Sequence, residues 1–180
     1  REDDFYEAVL DTTRARFSWL LVNLGTAITA SLVIGLFDAA IDQVVALAIL
    51  MPIVASMGGN AGTQTLTVAV RALAMKELTA ANAARILGKE IIVGGINGML
   101  FAFLMGIVAW LWFGEPVIGY IIAAAMLINL LIAGFAGVTI PIALERMRID
   151  PAVASAVVLT TITDVVGFVS FLGLAAIVLL

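Results

Sequence analysis

Asp164 is the residue with the most chemistry to explain. It sits in the run Thr160-Thr161-Ile162-Thr163-Asp164-Val165-Val166-Gly167, inside an apolar stretch from about Ala152 to Leu180. A charged Asp at such a depth costs about 2.5 to 3.5 kcal/mol on membrane-insertion scales. No Lys, Arg or His lies level with it to offset that cost. Three things can: a bound cation, a proton, or water held in a polar cavity. At helical spacing Ala152, Ala156, Thr160, Thr163, Asp164 and Gly167 share one face, so the acid belongs to a stripe of small and hydroxyl-bearing residues.

A second stripe carries oxygen without charge. Pro52, Ser56, Gly59, Asn60, Thr63 and Thr67 recur every three or four residues, and Arg71 continues the same face. Pro52 has no N–H to give to the carbonyl of Ala48, so main-chain oxygen is freed there as well. Such a stripe can hydrogen-bond neighbouring helices together, or it can line an ion path.

The absences narrow the chemistry. With no Cys and no His, the chain cannot form thiolate or imidazole metal sites, Cys-His or Ser-His-Asp nucleophiles, or zinc-protease motifs. We therefore expect no enzyme. Carboxylate, amide, hydroxyl and carbonyl oxygens suit hard ions such as Mg²⁺ or Ca²⁺ rather than copper or zinc. One carboxylate per chain is too few for a dehydrating cage. Mg²⁺, however, sheds its waters reluctantly and is held by one or two carboxylates with several waters retained. Two copies of Asp164 facing each other across a homodimer axis meet that requirement.

These residues must be positioned inside a membrane. The chain is 63% hydrophobic and 12% charged, against roughly 25% charged in average soluble domains, and its mean hydropathy is +1.19. Apolar runs longer than about 18 residues mark helical spans. They predict an all-α, polytopic protein with five spans: Ser18 to Phe37, Val44 to Ala74, Glu90 to Phe113, Val117 to Leu144 and Ala152 to Leu180. Residues 1–17, with the acids Glu2, Asp3, Asp4, Glu7 and Asp11, are expected to form the solvated end of a cytosolic helix, and residues 18–180 the membrane domain. The net charge of −4 argues against a nucleic-acid partner.

All nine basic residues fall on one side of this layout. Arg1, Arg14 and Arg16 precede the first span; Arg71, Lys76, Arg85 and Lys89 lie between the second and third; Arg146 and Arg148 lie between the fourth and fifth. The opposite loops hold Asp38, Asp42 and Glu115, so the positive-inside rule puts the N-terminus in the cytoplasm and the C-terminus outside. Trp19, Trp110 and Trp112 fall near span ends, where their rings favour the interface. Five spans without an internal repeat do not divide into inverted halves, which places a pathway between subunits rather than within one. Glycines four apart, Gly58 with Gly62 and Gly94 with Gly98, allow close helix contact, within one subunit or between two.

The segments Pro52…Gly58-Gly-Asn-Ala-Gly-Thr-Gln64, Arg71-Ala-Leu-Ala and Asp150-Pro-Ala…Thr161-Ile-Thr-Asp-Val-Val-Gly167 resemble the membrane domain of the MgtE family of magnesium channels. The resemblance runs from Phe17 to the end of the chain. It implies a homodimer in a bacterial inner membrane, with an axial pore lined by the second and fifth spans and carrying hydrated Mg²⁺ into the cytoplasm. It implies Asp164 as the metal-binding acid and the main-chain oxygen of Thr160 as a water-mediated contact. Some family members place an Asn two turns before that acid; here the residue is Ala156. The resemblance also implies cytosolic regulatory domains, including a CBS pair, ahead of residues 1–17.

Three other readings use the same residues. An intramembrane aspartyl protease needs two carboxylates sharing a proton, and Asp164 has no such partner. A non-transporting membrane subunit would use the stripes only to hold helices together. A proton-coupled divalent cation carrier would use Asp164 as its relay.

The orientation is directly testable. A Cys placed between Asp38 and Asp42 is expected to react with an impermeant thiol reagent in intact cells, and one between Lys76 and Arg85 only after permeabilisation. The reverse pattern would overturn the orientation.

Overall fold

A backbone in hydrocarbon finds no water to bond and must satisfy its own N–H and C=O groups, which favours long uninterrupted helices. The computed structural model, which describes residues 1–180, consists of six: α1 (Glu2–Gly35), α2 (Asp38–Gln43), α3 (Val45–Ala74), α4 (Ala83–Phe113), α5 (Pro116–Arg146) and α6 (Pro151–Leu179). All but α2 are long and apolar enough to cross a membrane. At 1.5 Å per residue the five long helices measure about 44 to 51 Å, more than the ~30 Å hydrocarbon layer, so each reaches past it.

Three boundaries differ from the sequence reading. The stretch before Ser18 is continuous with the first span in α1, which then stops at Gly35. The expected loop after it contains the short α2. The third span begins at Ala83 rather than Glu90, because Asn82 organises the turn ahead of it: its Oδ1 accepts from the Thr79 N–H at 2.7 Å and its Nδ2 donates to the Glu77 carbonyl at 2.7 Å. α6 starts at a side-chain cap, where Asp150 Oδ1 accepts from the Ala152 N–H at 3.0 Å with Pro151 in the first turn. Lys76 (φ 58°) and Arg148 (φ 60°) follow α3 and α5 in the left-handed region, where non-glycine residues are uncommon.

α5 is the centre of the molecule. It packs on α3, α4 and α6, and buries residues along its length from Ile118 to Leu144. α4 meets it backbone to backbone: a Cβ at Gly134 would stand 2.6 Å from the Glu90 carbonyl oxygen, and one at Gly94 would stand 2.7 Å from that of Leu130. α1 rests on α6 and buries only Ala30. Gly58, Gly62, Gly94 and Gly98 all face neighbours in the same chain. In this structure, therefore, the four-residue glycine spacings bring helices together within one subunit.

Where α3, α5 and α6 converge, an amide side chain is fully enclosed, alongside the buried hydroxyls of Thr163 and Ser155 on α6. Asn129 has no exposed surface; its Nδ2 donates to the Val54 carbonyl at 3.0 Å, and its Oδ1 has no partner. The amide fits because Gly58 on α3 and Gly167 on α6 have no side chains to occupy its place.

A methyl group at Gly58 would collide with the Asn129 amide. Gly58→Ala is expected to destabilise the protein by about 1 to 3 kcal/mol through overpacking, read as a shifted midpoint in an SDS unfolding titration. Combining it with Asn129→Ala should recover part of the loss. Equal midpoints for Gly58→Ala and the unaltered protein would show that this convergence is loosely packed.

Candidate cation site

Asp164 lies at the edge of a cleft of about 330 Å³ between α1 and α6. α6 contributes Thr160, Thr161 and Asp164; α1 contributes Asn23 and Thr26 among leucine and alanine side chains. Asp164 is partly buried. No cationic side chain approaches it, since the chain's one ion pair joins the N-terminal amine of Arg1 to Asp4 at 3.8 Å. The structure thus surrounds an unpaired acid with hydroxyl and amide groups, in a space large enough for several waters.

Asn23 and Thr26 were missed by the sequence reading. They are polar residues three apart in the first apolar run, so helical spacing already placed them on one face. What the sequence could not say was which neighbour that face would meet.

The stripe expected on the fifth span divides in two. Ala152, Ala156 and Thr160 are exposed along α6 and lead to Asp164. Thr163 and Gly167, expected on the same face, are buried within the chain. At their level other helices cover α6: a Cβ at Gly167 would meet the Asn129 amide at 2.9 Å, and the Thr163 hydroxyl bonds inward to the carbonyls of Leu159 at 3.1 Å and Thr160 at 3.2 Å. The single Thr163 proton is shared between these two carbonyls, so the Thr160 main-chain oxygen gives up only part of its accepting capacity.

The stripe on α3 stays together. Pro52, Ser56, Asn60, Thr63, Thr67 and Arg71 are exposed and Gly59 is partly so, while Val54, Gly58, Gly62, Thr65 and Leu66 are buried on the other side. The Thr63 hydroxyl donates to the Gly59 carbonyl at 2.8 Å and the Thr67 hydroxyl to that of Thr63 at 2.8 Å. Each hydroxyl proton is thus committed to the helix, and the oxygen lone pairs remain for an outside donor. Water held by a cation donates; an anion accepts. At Thr63 and Thr67 the stripe is consequently able to accept from the waters of a hydrated cation. No three His, Cys, Asp or Glu side chains gather anywhere in the chain, so one subunit builds no metal cage from them.

The MgtE family model, described as a divalent cation transporter, matches residues 51–174. Among curated proteins, the chain is 34% identical over 160 residues to the magnesium transporter MgtE of Bacillus subtilis, covering 89% of this chain and 36% of that protein. It is 30% identical over 174 residues to the magnesium transporter MgtE of Enterococcus faecalis, covering 97% and 38%. Against that of Thermus thermophilus the values are 30% over 165 residues, covering 92% and 36%. The chain thus spans little more than a third of the length of these relatives.

Because the chain has no Cys, single-Cys variants read each position directly. Ser56→Cys, Asn60→Cys and Thr160→Cys are expected to react with a small charged methanethiosulfonate in lipid nanodiscs. Thr163→Cys and Gly167→Cys are expected to stay unmodified. Modification of the second pair at the rate of the first would show that the stripe on α6 is not divided.

Proposed function

Since the chain belongs to the MgtE family of divalent cation transporters, we propose that it is the ion-conducting part of a magnesium transporter, a multi-pass protein of the cell membrane in which two copies enclose a path for hydrated Mg²⁺ into the cytoplasm. One observation carries this reading: Asp164, the only acid deep within the apolar helices, has no cationic partner and faces a polar cleft of water-holding size. The relatives, each a magnesium transporter by name, support the choice of ion.

The mechanism follows from what each group can do. Asp164 supplies the charge that draws a cation into the apolar layer. The exposed oxygens of α3, from Ser56 to Thr67, accept hydrogen bonds from the ion's waters, so Mg²⁺ moves without losing a hydration shell that it gives up reluctantly. Conduction needs binding favourable enough to enter and weak enough to leave, and neutral acceptors beside a single carboxylate per chain supply that balance. A second copy accounts for the remaining exposure, since the α3 stripe has no cover within one chain and faces hydrocarbon without one. Asn23 and Thr26 on α1 orient water at the acid from the side opposite α6. Regulation by cytosolic domains, implied by the family resemblance, belongs to the same proposal.

Asp164→Asn keeps shape and hydrogen bonding but removes one charge per chain. Opposite unit charges ~4 Å apart at an effective dielectric of ~20 attract by about 4 kcal/mol before desolvation, so even a fraction of this means a large loss of occupancy. Asp164→Asn is expected to abolish Mg²⁺ flux into proteoliposomes with expression and assembly intact, while Ala156→Ser stays close to the unaltered protein. Wild-type flux in well-folded Asp164→Asn would overturn the proposal. Flux that tracks an imposed proton gradient would favour the carrier instead.

A further inference from the structure

A second carboxylate is brought to the apolar layer, and the proposed pore makes no use of it. Glu90 lies where α4 crosses α5, with its backbone pressed against Gly134. Its side chain lines a cavity of about 160 Å³ shared by α3, α4 and α5, together with Gln64, Thr65 and Asn97. Thr65 is only 9% exposed, and its hydroxyl donates to Glu90 Oε2 at 3.4 Å. No Lys or Arg comes within 4 Å of the carboxylate. Glu90 stands twenty residues before Trp110 on α4, about 30 Å at 1.5 Å per residue, which puts it at the far edge of the hydrocarbon from that tryptophan and within reach of water.

We propose that this cavity is a second cation site, off the pore, which takes one partly hydrated Mg²⁺ per subunit. Glu90 is its direct ligand, and Gln64, Thr65 and Asn97 face the ion's waters. The donor chemistry fits: all four side chains offer oxygen, one of them charged, and the Thr65 proton is already given to Glu90. The size fits too: Mg²⁺ with one carboxylate oxygen in octahedral geometry keeps about five waters, and a cavity of about 160 Å³ has room for an ion with several waters. An ion here ties α3, which carries the polar stripe, to α4 and α5. It therefore stabilises the arrangement in which Gln64 and Thr65 stay close to Glu90, because a ligand favours whichever conformation binds it better.

The site is independent of Asp164, and the test keeps the two apart. The protein in phosphatidylcholine nanodiscs is titrated with Mn²⁺ as the probe, and bound ion is counted by electron paramagnetic resonance. Asp164→Asn, which removes the proposed pore ligand, is expected to retain one Mn²⁺ per chain that Mg²⁺ displaces and Na⁺ at equal ionic strength does not. The double variant Asp164→Asn/Glu90→Gln is expected to retain none. Should the double variant fail to fold, Gln64→Leu with Asn97→Leu in the Asp164→Asn background is expected to weaken Mn²⁺ binding at least about tenfold, as loss of outer-shell partners does at other metal sites. The proposal is overturned if Asp164→Asn binds no ion, if the ion survives Glu90→Gln, if Na⁺ displaces it as well as Mg²⁺ does, or if the leucine variants bind with unchanged affinity. The difference between the unaltered protein and Asp164→Asn reports on the pore site alone.

Discussion

Asn129 holds three helices at one level. Its amide donates to the Val54 carbonyl of α3 while its side chain occupies the space left by Gly58 and by Gly167 of α6. Hydrogen bonds between membrane helices average only about 0.6 kcal/mol, so the bond itself does not explain the influence of this residue. Its shape does. An amide enclosed by two glycines fixes how α3 and α6 sit against α5, and α3 and α6 are the helices that carry the oxygen stripes. With Gly167 held inward, the neighbouring turns of α6 present Thr160 and Asp164 outward.

The same constraint explains why the polar groups fall into separate sites. In hydrocarbon an unpaired polar group is costly, and apart from Asn129 Oδ1 and the buried Ser155 hydroxyl, which have no partner, the chain deals with its polar groups in three ways. Threonine hydroxyls bond back to their own helix, as at Thr63, Thr67 and Thr161. Asn129 bonds across helices. Asp164 and Glu90, which no arginine or lysine reaches, are set beside cavities. Only the last way leaves a charge to be compensated from outside the chain, which is why the two proposed cation sites centre on these carboxylates.

Much of this was legible in the sequence, for a physical reason. A membrane demands long apolar runs, so five spans could be read from hydropathy and Asp164 stood out by its depth. The α3 stripe was legible because helical spacing sorts the exposed from the buried side along its whole length. The α6 stripe was only half legible: spacing puts Thr163 and Gly167 on the same arc as Thr160, but Asn129 and neighbouring helices decide which levels of that arc are covered. Asn129 itself gave no sign, because a single Asn in a span does not reveal its partner. Glu90 was concealed at a span boundary, since the Asn82 turn that starts α4 early depends on side-chain bonds that a hydropathy pattern does not contain.

Lys76 and Arg148 show what else shaped this chain. Each takes the left-handed backbone conformation just after a long helix, at a cost of roughly 1 to 2 kcal/mol per residue that glycine would avoid. Both lie in turns on the side expected to face the cytoplasm. A residue chosen for the finished fold alone would be glycine at both positions. A cation at either position instead adds to the positive charge of its loop, the charge that the positive-inside rule counts in setting orientation.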